Sequence, residues 1–493
     1  MKRWVFDSTV FVWVMMTAAI ANGQPPDTAW VRYYGGSGDE QCVAIHNAGS
    51  GFFVAGNTNS QGAGESDFWL VKVDSLGNEI WNRTYGGLRW DSLAAIENQP
   101  DSTVGYLLAG STRSYGGGGA DFWMIRVNMA GAQTSDHTYG ERGDQNGRAV
   151  HVSDDGSVML VGDDIPFMED ISYTRIIKTL SNGTTDWETG YGDTTMLYMR
   201  GVGERPTGGF LAAGFEEWPS GGDESSIPIV LKLSALGHTE QALRFTGLLK
   251  TRIQSACPNH AGGLLLSGRM KTFSHGEPGN WRESVLMNVN ENGSALYTVY
   301  CGFPYDDELV SAAPTNDGGA IGVGWKNAPE DPYNRAFIVR VNGSGNTLWT
   351  KILNFDSTSV AQAVLPLNDG SYLVAGTKLM PNGGTDVWLA KLNPELAAEP
   401  EPIHYPAEFK LYPGYPNPFN SRAVIEYDLP HTAFTRLAVY DILGREAALL
   451  AEGYRSAGRH RATFEGANLP SGIYLCRLQA GTQTAVQKLV MMK

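Results

Sequence analysis

The chain has 493 residues, 60 of them glycine, with 11% aromatic residues and a formal net charge of −15. That length exceeds the needs of one small core, and long Ala/Glu/Lys/Leu periodic runs are absent, so many short strands joined by glycine turns are expected rather than helical layers. The acidic balance argues against nucleic acid or an anionic membrane as partner.

The N-terminus opens with MKRW, runs through VFVWVMMTAAIA and reaches AIANGQ. A basic start, a short apolar stretch and small residues near Ala19 and Ala21 make residues 1–23 a secretory signal peptide. The apolar run is too short to span a bilayer comfortably, and no other segment approaches that length, so no transmembrane segment is expected in the mature chain.

From Trp30 onward one phrase keeps returning. It reads DFWLVKVDSLGNEIW at 67–81, DFWMIRVNMAGAQT at 121–134 and DVWLAKLN at 386–393. Aligned on it, repeats start at Trp30, Trp81, Ser135, Trp187, Gln241, Tyr297 and Trp349, spaced 51, 54, 52, 54, 56 and 52 residues apart. Each carries four strand-like runs, as in WVRYY, QCVAIHN, GFFVAGN and DFWLVKVD. Seven such units predict an all-β, seven-bladed β-propeller over residues 30–393. Tight glycine turns such as DSLGN join the fourth run to the next first run, so these two strands should pair within a blade.

On that frame the second run is innermost, which suits its small residues Ala44, Ala94, Ala95, Ala149, Ala256, Ala312 and Ala363. The seventh blade lacks an outer strand and the first run, 30–34, is left to close the ring and remove an open edge. The dipeptides Ala55-Gly56, Ala109-Gly110, Val161-Gly162, Ala213-Gly214 and Ala375-Gly376 end the third run, where glycine permits a bend or a close backbone approach. The pattern resembles the propeller repeats of secreted bacterial proteins, in which the repeat is architectural. The match is best in repeats one, two and seven.

Residues 394–410, PELAAEPEPIHYPAEFK, are rich in proline and glutamate and read as an extended linker. From Ala407 to Lys493 there are ten Lys/Arg against seven Asp/Glu, which leaves −18 on the rest and marks a second module. Over 411–493, alternating runs between Gly, Pro and Asn turns predict a small Ig-like antiparallel β-sandwich. Tyr415-Pro416-Asn417-Pro418-Phe419-Asn420, Tyr427-Asp428-Leu429-Pro430, Val439 to Glu446 with Gly444 among them, Leu469-Pro470-Ser471-Gly472-Ile473-Tyr474 and the terminal Lys493 stand in fixed order. They closely resemble the type A C-terminal sorting domain of the type IX secretion system. Cys476 sits where that family usually has an aromatic or aliphatic residue. The resemblance implies Sec export, translocation across the outer membrane, and secretion or display at the cell surface, with the type IX machinery as partner.

Catalytic signatures are missing: the chain has no HExxH, GxSxG, GxxxxGKS or EF-hand loop, and its nine histidines do not cluster. The four cysteines, Cys42, Cys257, Cys301 and Cys476, show no CxxC spacing. Cys257 and Cys301 can be drawn as a pair across neighbouring repeats, but buried free thiols are the expected state. Asp39, Asp91, Asp144, Asp306 and Asp307 stand before the innermost strands, and on this frame they ring one mouth of the central channel. Converging there they would suit Ca²⁺; the competing reading is that each caps a turn. No other cofactor is implied. Trp90, Trp218, Trp281 and Trp325 fall outside the repeated phrase and are candidates for stacking on sugars, set against packing under loops. The sequence therefore predicts an exported, non-catalytic binding module for a glycan or a surface protein. A polysaccharide hydrolase or lyase with its site at the channel mouth is the alternative.

Overall fold

A computed structural model describes residues 24–492 apart from 101–104, 168–171, 193–194, 219–225, 249, 273–280, 302–305, 329–330, 396–407, 431–432, 456–457, 467–468 and 482. The expected signal peptide and Lys493 lie outside the described residues. The chain forms two compact units, Met1–Leu396 and Ala397–Lys493.

The first unit is a seven-bladed propeller of four-stranded antiparallel sheets. Blade 1 runs from its innermost strand Glu40–Asn47 through Phe52–Thr58 and Asp67–Val73 to the outermost strand Glu79–Tyr85. Innermost strands of blades 2 to 7 are Asp91–Asn98, Gly143–Val152, Met196–Glu204, Thr251–Pro258, Asp307–Pro314 and Ser359–Pro366. Blade 7 takes its outermost strand from the start of the chain, since Thr28–Tyr34 pairs antiparallel with Thr385–Leu392. The expected ring closure is thus present, and no sheet edge is left at the seam.

The repeated phrase places one aromatic on each face of its blade. Phe68 and Leu70 pack among Tyr106, Leu108, Trp123 and Ile125 of blade 2. Trp69 and Val71, on the other face, pack among Leu373, Ala375, Val387 and Leu389 of blade 7. The Phe of one blade then meets the Trp of the next, with Phe68 and Trp123 ring centroids 4.8 Å apart. All three phrase tryptophans, Trp69, Trp123 and Trp388, are fully buried, and each such side chain contributes on the order of 2–3 kcal/mol.

Every innermost strand carries a β-bulge at the same place. Pairing skips Val43, Ala94, Arg148, Arg200, Gln254, Val310 and Gln362 in blades 1 to 7. Opposite each bulge the second strand supplies glycine: Gly56, Gly110, Gly162, Gly214, Gly268, Gly324 and Gly376. A Cβ at any of the seven would overlap an innermost-strand carbonyl oxygen, that of Gln41 in blade 1 and Val360 in blade 7. The bulge turns the carbonyl into the neighbouring strand, and only glycine leaves room for it. The close approach expected at five positions therefore operates in all seven blades, including blade 6 with Val323-Gly324 and blade 5, where Ser267-Gly268 departs from the Ala-Gly or Val-Gly pattern.

Outermost strands clasp the following blade. Tyr34, Tyr85 and Tyr139 donate their hydroxyls to the carbonyls of Gly77, Gly131 and Gly183, at 2.5, 2.7 and 2.6 Å, and Tyr191 does the same to Gly237. These glycines sit at positive φ in the third-to-outermost hairpins, packed against Trp30, Trp81, His137 and Trp187 of the preceding repeat. Where Ser135 stands in place of the tryptophan, His137 two residues on fills the gap.

The second unit is a sandwich. One sheet orders Lys410–Leu411, Arg422–Leu429 and Gly458–Glu465; the other orders Glu446–Arg455, Ala433–Asp441, Gly472–Ala480 and Gln483–Met491. Phe419, Ile425, Tyr427, Leu437, Val439, Phe464, Tyr474, Cys476 and Leu489 form its core. All four cysteines are free, so Cys257 and Cys301 do not pair; Cys257 donates instead to the Ala312 carbonyl at 3.3 Å.

Gly56→Ala and Gly214→Ala are expected to destabilise the propeller by roughly 2 kcal/mol or more, because the added methyl must displace backbone. Gly190→Ala, where a Cβ meets nothing within 4 Å, should stay within about 0.5 kcal/mol of the parent. Thermal or urea unfolding of the three variants checks the contrast.

Candidate functional site

The antiparallel order puts two kinds of connection on opposite ends of the ring. Innermost-to-second and third-to-outermost turns are tight and mostly glycine-bearing on one face. Second-to-third loops, such as Asn59–Ser66 and Arg113–Ala120, and the links into the next blade emerge on the other. Loops of that length are where a rigid scaffold carries function.

On this face a two-tier set of acidic and amide side chains ties blade to blade. In the first tier Asp39 and Asp306 stand one residue before an innermost strand, and Asp144 is the second residue of one. Their carboxylates accept N–H groups at the start of the preceding blade's third strand: Thr385 at 3.1 Å, Ala120 at 2.8 Å and Arg282 at 2.8 Å. In the second tier, Glu40, Asp91 and Gln145 accept from the blade-to-blade link through the N–H groups of Gly36, Gly87 and Glu141, at 2.8, 2.8 and 3.1 Å. Asp91 also accepts the hydroxyls of Thr112 and Ser114, and Asp307 accepts Ser284 N–H at 2.6 Å.

Asp91 and Asp307 are fully buried and do not line a channel mouth. Asp39 is exposed and does border a cavity there. Among the described residues no group of three or more His, Cys, Asp or Glu is placed to hold a metal ion, because these carboxylates are spent on separate inter-blade bonds. Asp67, the acid of the repeated phrase, is likewise structural. It accepts Ala63 N–H at 2.7 Å and shapes its own loop, and burial, with a smaller contribution from Asp91, holds its carboxyl above the usual range.

The cavity beside Asp39 has a volume of about 500 Å³ and is lined by Asp39, Gln41, Thr358, Val360, Gln362, Thr377, Leu379 and Thr385. It lies where the innermost strands of blades 7 and 1 begin, against the seam that closes the ring. Asp39 is fixed there by Thr385 N–H and Oγ1 and by Asn59, and Gln362 accepts the Thr377 hydroxyl at 2.5 Å. Gln41 is exposed, and its amide makes no hydrogen bond to the described residues. Of the candidate tryptophans, Trp90 and Trp218 are 38% and 39% exposed and Trp325 is half-buried, but none borders this cavity. The Trp281 side chain lies outside the described residues. Gln41 and Gln362 were missed from sequence because polar residues at alternate strand positions look like an ordinary solvated face.

Farther along the channel, at the strand ends, burial pushes the Cys257 thiol of blade 5 up to about 12, with a smaller contribution from the charge of Glu97 in blade 2. Burial pushes the Glu97 carboxyl itself from 4.5 up to about 7.

In the sandwich the sorting-motif residues differ in placement. Asn417 donates to the Lys488 carbonyl and accepts Val490 N–H, both at 2.8 Å, while Phe419 is buried against Phe464. Tyr474 donates to the Pro470 carbonyl at 2.8 Å, and Gly444 closes a hairpin at φ +77°. Pro416 and Pro418 follow cis peptide bonds. Asn420 and Gly472 are exposed. Tyr415, Ile442 and Leu443 project outward, 79%, 74% and 72% exposed. Phe419 and Tyr474 belong to the core, Asn417 ties the motif to the last strand while staying at the surface, and Tyr415, Ile442 and Leu443 are the large apolar side chains left outward.

Residues 414–492 match the family model described as a secretion system C-terminal sorting domain. The protein is accordingly exported and carried across the outer membrane, for secretion or residence at the cell surface, and this domain engages the type IX secretion machinery. No curated protein matches the chain. Among solved structures, puromycin hydrolase is 14% identical with a TM-score of 0.47, covering 79% of this chain; the chain spans 58% of that protein. An ulvan lyase of family PL25 is 11% identical, TM-score 0.47, covering 72% and 95% of the two chains. The β-propeller domain of the Trilobed protease from Pyrococcus furiosus is 10% identical, TM-score 0.40, covering 76% and 99%. These are distant likenesses, and the fold rests on the seven sheets themselves. Among the described residues no helix is long and apolar enough to cross a membrane.

Two outcomes are expected. Because the folded chain holds the Glu97 proton more tightly than the unfolded chain, stability falls as pH rises from the ordinary glutamate range toward 7. Glu97→Gln removes that loss, so it should raise stability by about 1–2 kcal/mol at pH 8 and change it little at pH 4, as read from unfolding curves. In the sandwich, Ile442→Asp with Leu443→Asp should cut export severalfold while the purified protein melts as the parent does. Asn417→Ala should lower the melting temperature instead.

Proposed function

We propose that the propeller is a glycan-binding module, delivered outside the cell by its C-terminal domain, which takes a polyhydroxylated ligand at the seam of blades 7 and 1. The observation that carries this reading is the lining of the cavity beside Asp39. Its polar groups are the amides of Gln41 and Gln362 and the hydroxyls of Thr358, Thr377 and Thr385, with Val360 and Leu379 supplying apolar surface. Amides and hydroxyls both donate and accept, which matches sugar hydroxyl groups, and aliphatic carbon suits the C–H face of a sugar ring. Among the described residues one carboxylate, Asp39, lines the cavity, and it is committed to Thr385. That supports recognition over acid–base cleavage, which calls on two carboxyl groups flanking the bond.

Isothermal titration against a panel of neutral oligosaccharides tests this. Gln41→Ala combined with Gln362→Ala should weaken the best ligand about tenfold or more, since each lost hydrogen bond is worth ~0.5–1.5 kcal/mol. Unchanged affinity in the double variant removes the site. Release of sugar products by the parent, abolished by Asp39→Asn, replaces the binding module with a polysaccharide-cleaving enzyme.

A further inference from the structure

A second cleft, of about 510 Å³, opens on the same loop-bearing face beside blade 2. Its lining comes from the link Gly87-Leu88-Arg89 and from the second-to-third loop, through Arg113, Ser114, Tyr115, Gly116, Gly118 and Gly119. Its chemistry is opposite to that of the first cavity. Among the described residues two guanidinium groups line it and no carboxylate does, Asp144 lying behind Arg113 as its ion-pair partner, in a propeller that is otherwise strongly acidic.

The two arginines are prepared differently. Arg113 is held by Asp144, at 2.9 Å from one terminal nitrogen, and that carboxylate is itself fixed by Ala120 N–H. Arg89 is anchored by its backbone, whose N–H donates to Ser114 Oγ at 3.1 Å. Among the described residues no carboxylate comes within 4 Å of the Arg89 guanidinium. Ser114 is in turn held by Asp91, so the buried acid below the cleft fixes its rim. Tyr115 is 44% exposed, with its hydroxyl donating to the Gly86 carbonyl at 2.9 Å and its ring 5.2 Å from that of Trp123. It presents an aromatic surface that costs little to immobilise further.

In the run Gly116–Gly119 a Cβ at Gly116 would meet the Asp121 carboxylate, and one at Gly119 the Gly143 carbonyl, so glycine lets this loop pack against its neighbours. Gly116 and Gly118 are at φ +90° and +111°, which only glycine adopts readily. The N–H groups of Gly118 and Gly119 bond to nothing among the described residues. Free backbone amides beside guanidinium groups make a binding place for oxyanions.

We propose that this cleft binds the oxyanion of an acidic polysaccharide, a carboxylate or sulfate ester carried on a sugar ring, with Arg89 as the principal contact, Arg113 as the second and Tyr115 as the ring platform. A planar guanidinium matches either oxyanion with paired hydrogen bonds, and an exposed tyrosine recognises the ring that carries it. The two cavities share no lining residue, so this assignment stands apart from the neutral-sugar reading of the channel mouth.

The test is titration of the full-length protein with polygalacturonate, a sulfated galactan and a neutral galactan, at low and high salt. At least one acidic chain should bind tenfold or more tighter than the neutral one, and the preference should shrink as salt rises. Arg89→Gln should lose about tenfold on that chain, and Arg113→Gln a comparable amount, with melting temperature unchanged for Arg89→Gln. The carboxylated and sulfated arms show which oxyanion is read. Equal binding of acidic and neutral chains, or an Arg89→Gln variant that binds as the parent does, overturns the proposal. The Gln41/Gln362 variant serves as the control: it should keep acidic-chain binding, so failure of the channel-mouth site and failure of this cleft remain distinguishable.

Discussion

The propeller depends on one local deformation made seven times. In each blade the innermost strand buckles by one residue, and its carbonyl moves into space that a Cβ on the second strand would occupy. Near the axis the strands converge, and the residue after each bulge is small throughout: Ala44, Ala95, Ala149, Gly201, Ser255, Ser311 and Ala363. A flat ladder would leave the innermost strand straight, whereas the bulge adds twist where the ring is tightest. Glycine opposite and a small residue beyond are two sides of the same steric requirement. Side chains elsewhere in the repeat are freer to vary, which is why blades 3 to 6 lose the DFW phrase and still keep the fold.

Burial between blades comes next in importance and is carried by a pair of adjacent aromatics. Because successive strand residues face opposite ways, Phe68 and Trp69 need no turn between them to serve two different neighbours. The outer tyrosines and the inner acids then lock the two faces of the ring, Tyr85 to Gly131 on one side and Asp91 to Gly87 and Ser114 on the other. The same acids hold the loops in place, so the loop-bearing face is ordered before any ligand arrives.

These relations were legible in the sequence to different degrees. Blade number, strand order and the closing strand follow from periodicity and hairpin turns, both local signals. The acids were not, because their roles turn on register. Asp39, Asp144 and Asp306 reach the preceding blade, while Asp91, which begins the strand, points into the interior. A shift of one residue reverses the direction of a strand side chain, and an alignment of irregular links does not fix position that closely. The cavity at the seam was equally hidden, since Gln41 and Gln362 are 321 positions apart in sequence and meet only because the ring closes. In the sorting domain the motif was plain, but its division into core residues such as Phe419 and outward residues such as Leu443 required the pairing of the last strand.

The regular and the degenerate blades also differ in what they do with the space around the bulge. In blades 1 and 2 the bulged residues are Val43 and Ala94, and in blade 7 the uncharged Gln362. In blades 3 and 4 they are arginines: Arg148 and Arg200 both reach Asp163, at 2.7 and 3.3 Å. Neighbouring pairs, Arg252 with Glu217 and Arg269 with Glu308, continue this around the ring through blades 5 and 6. A half-buried ion pair fills volume and satisfies its own charges, so it offers little to an incoming ligand, and removing one partner leaves the other charge in a poor environment. Small or uncharged residues at the same place leave room. The cavity beside Asp39 is lined by one such residue, Gln362 of blade 7. Blades 5 and 6 carry the uncharged Gln254 and Val310 at this place, so loss of the repeated phrase and gain of a bulge arginine coincide only in blades 3 and 4.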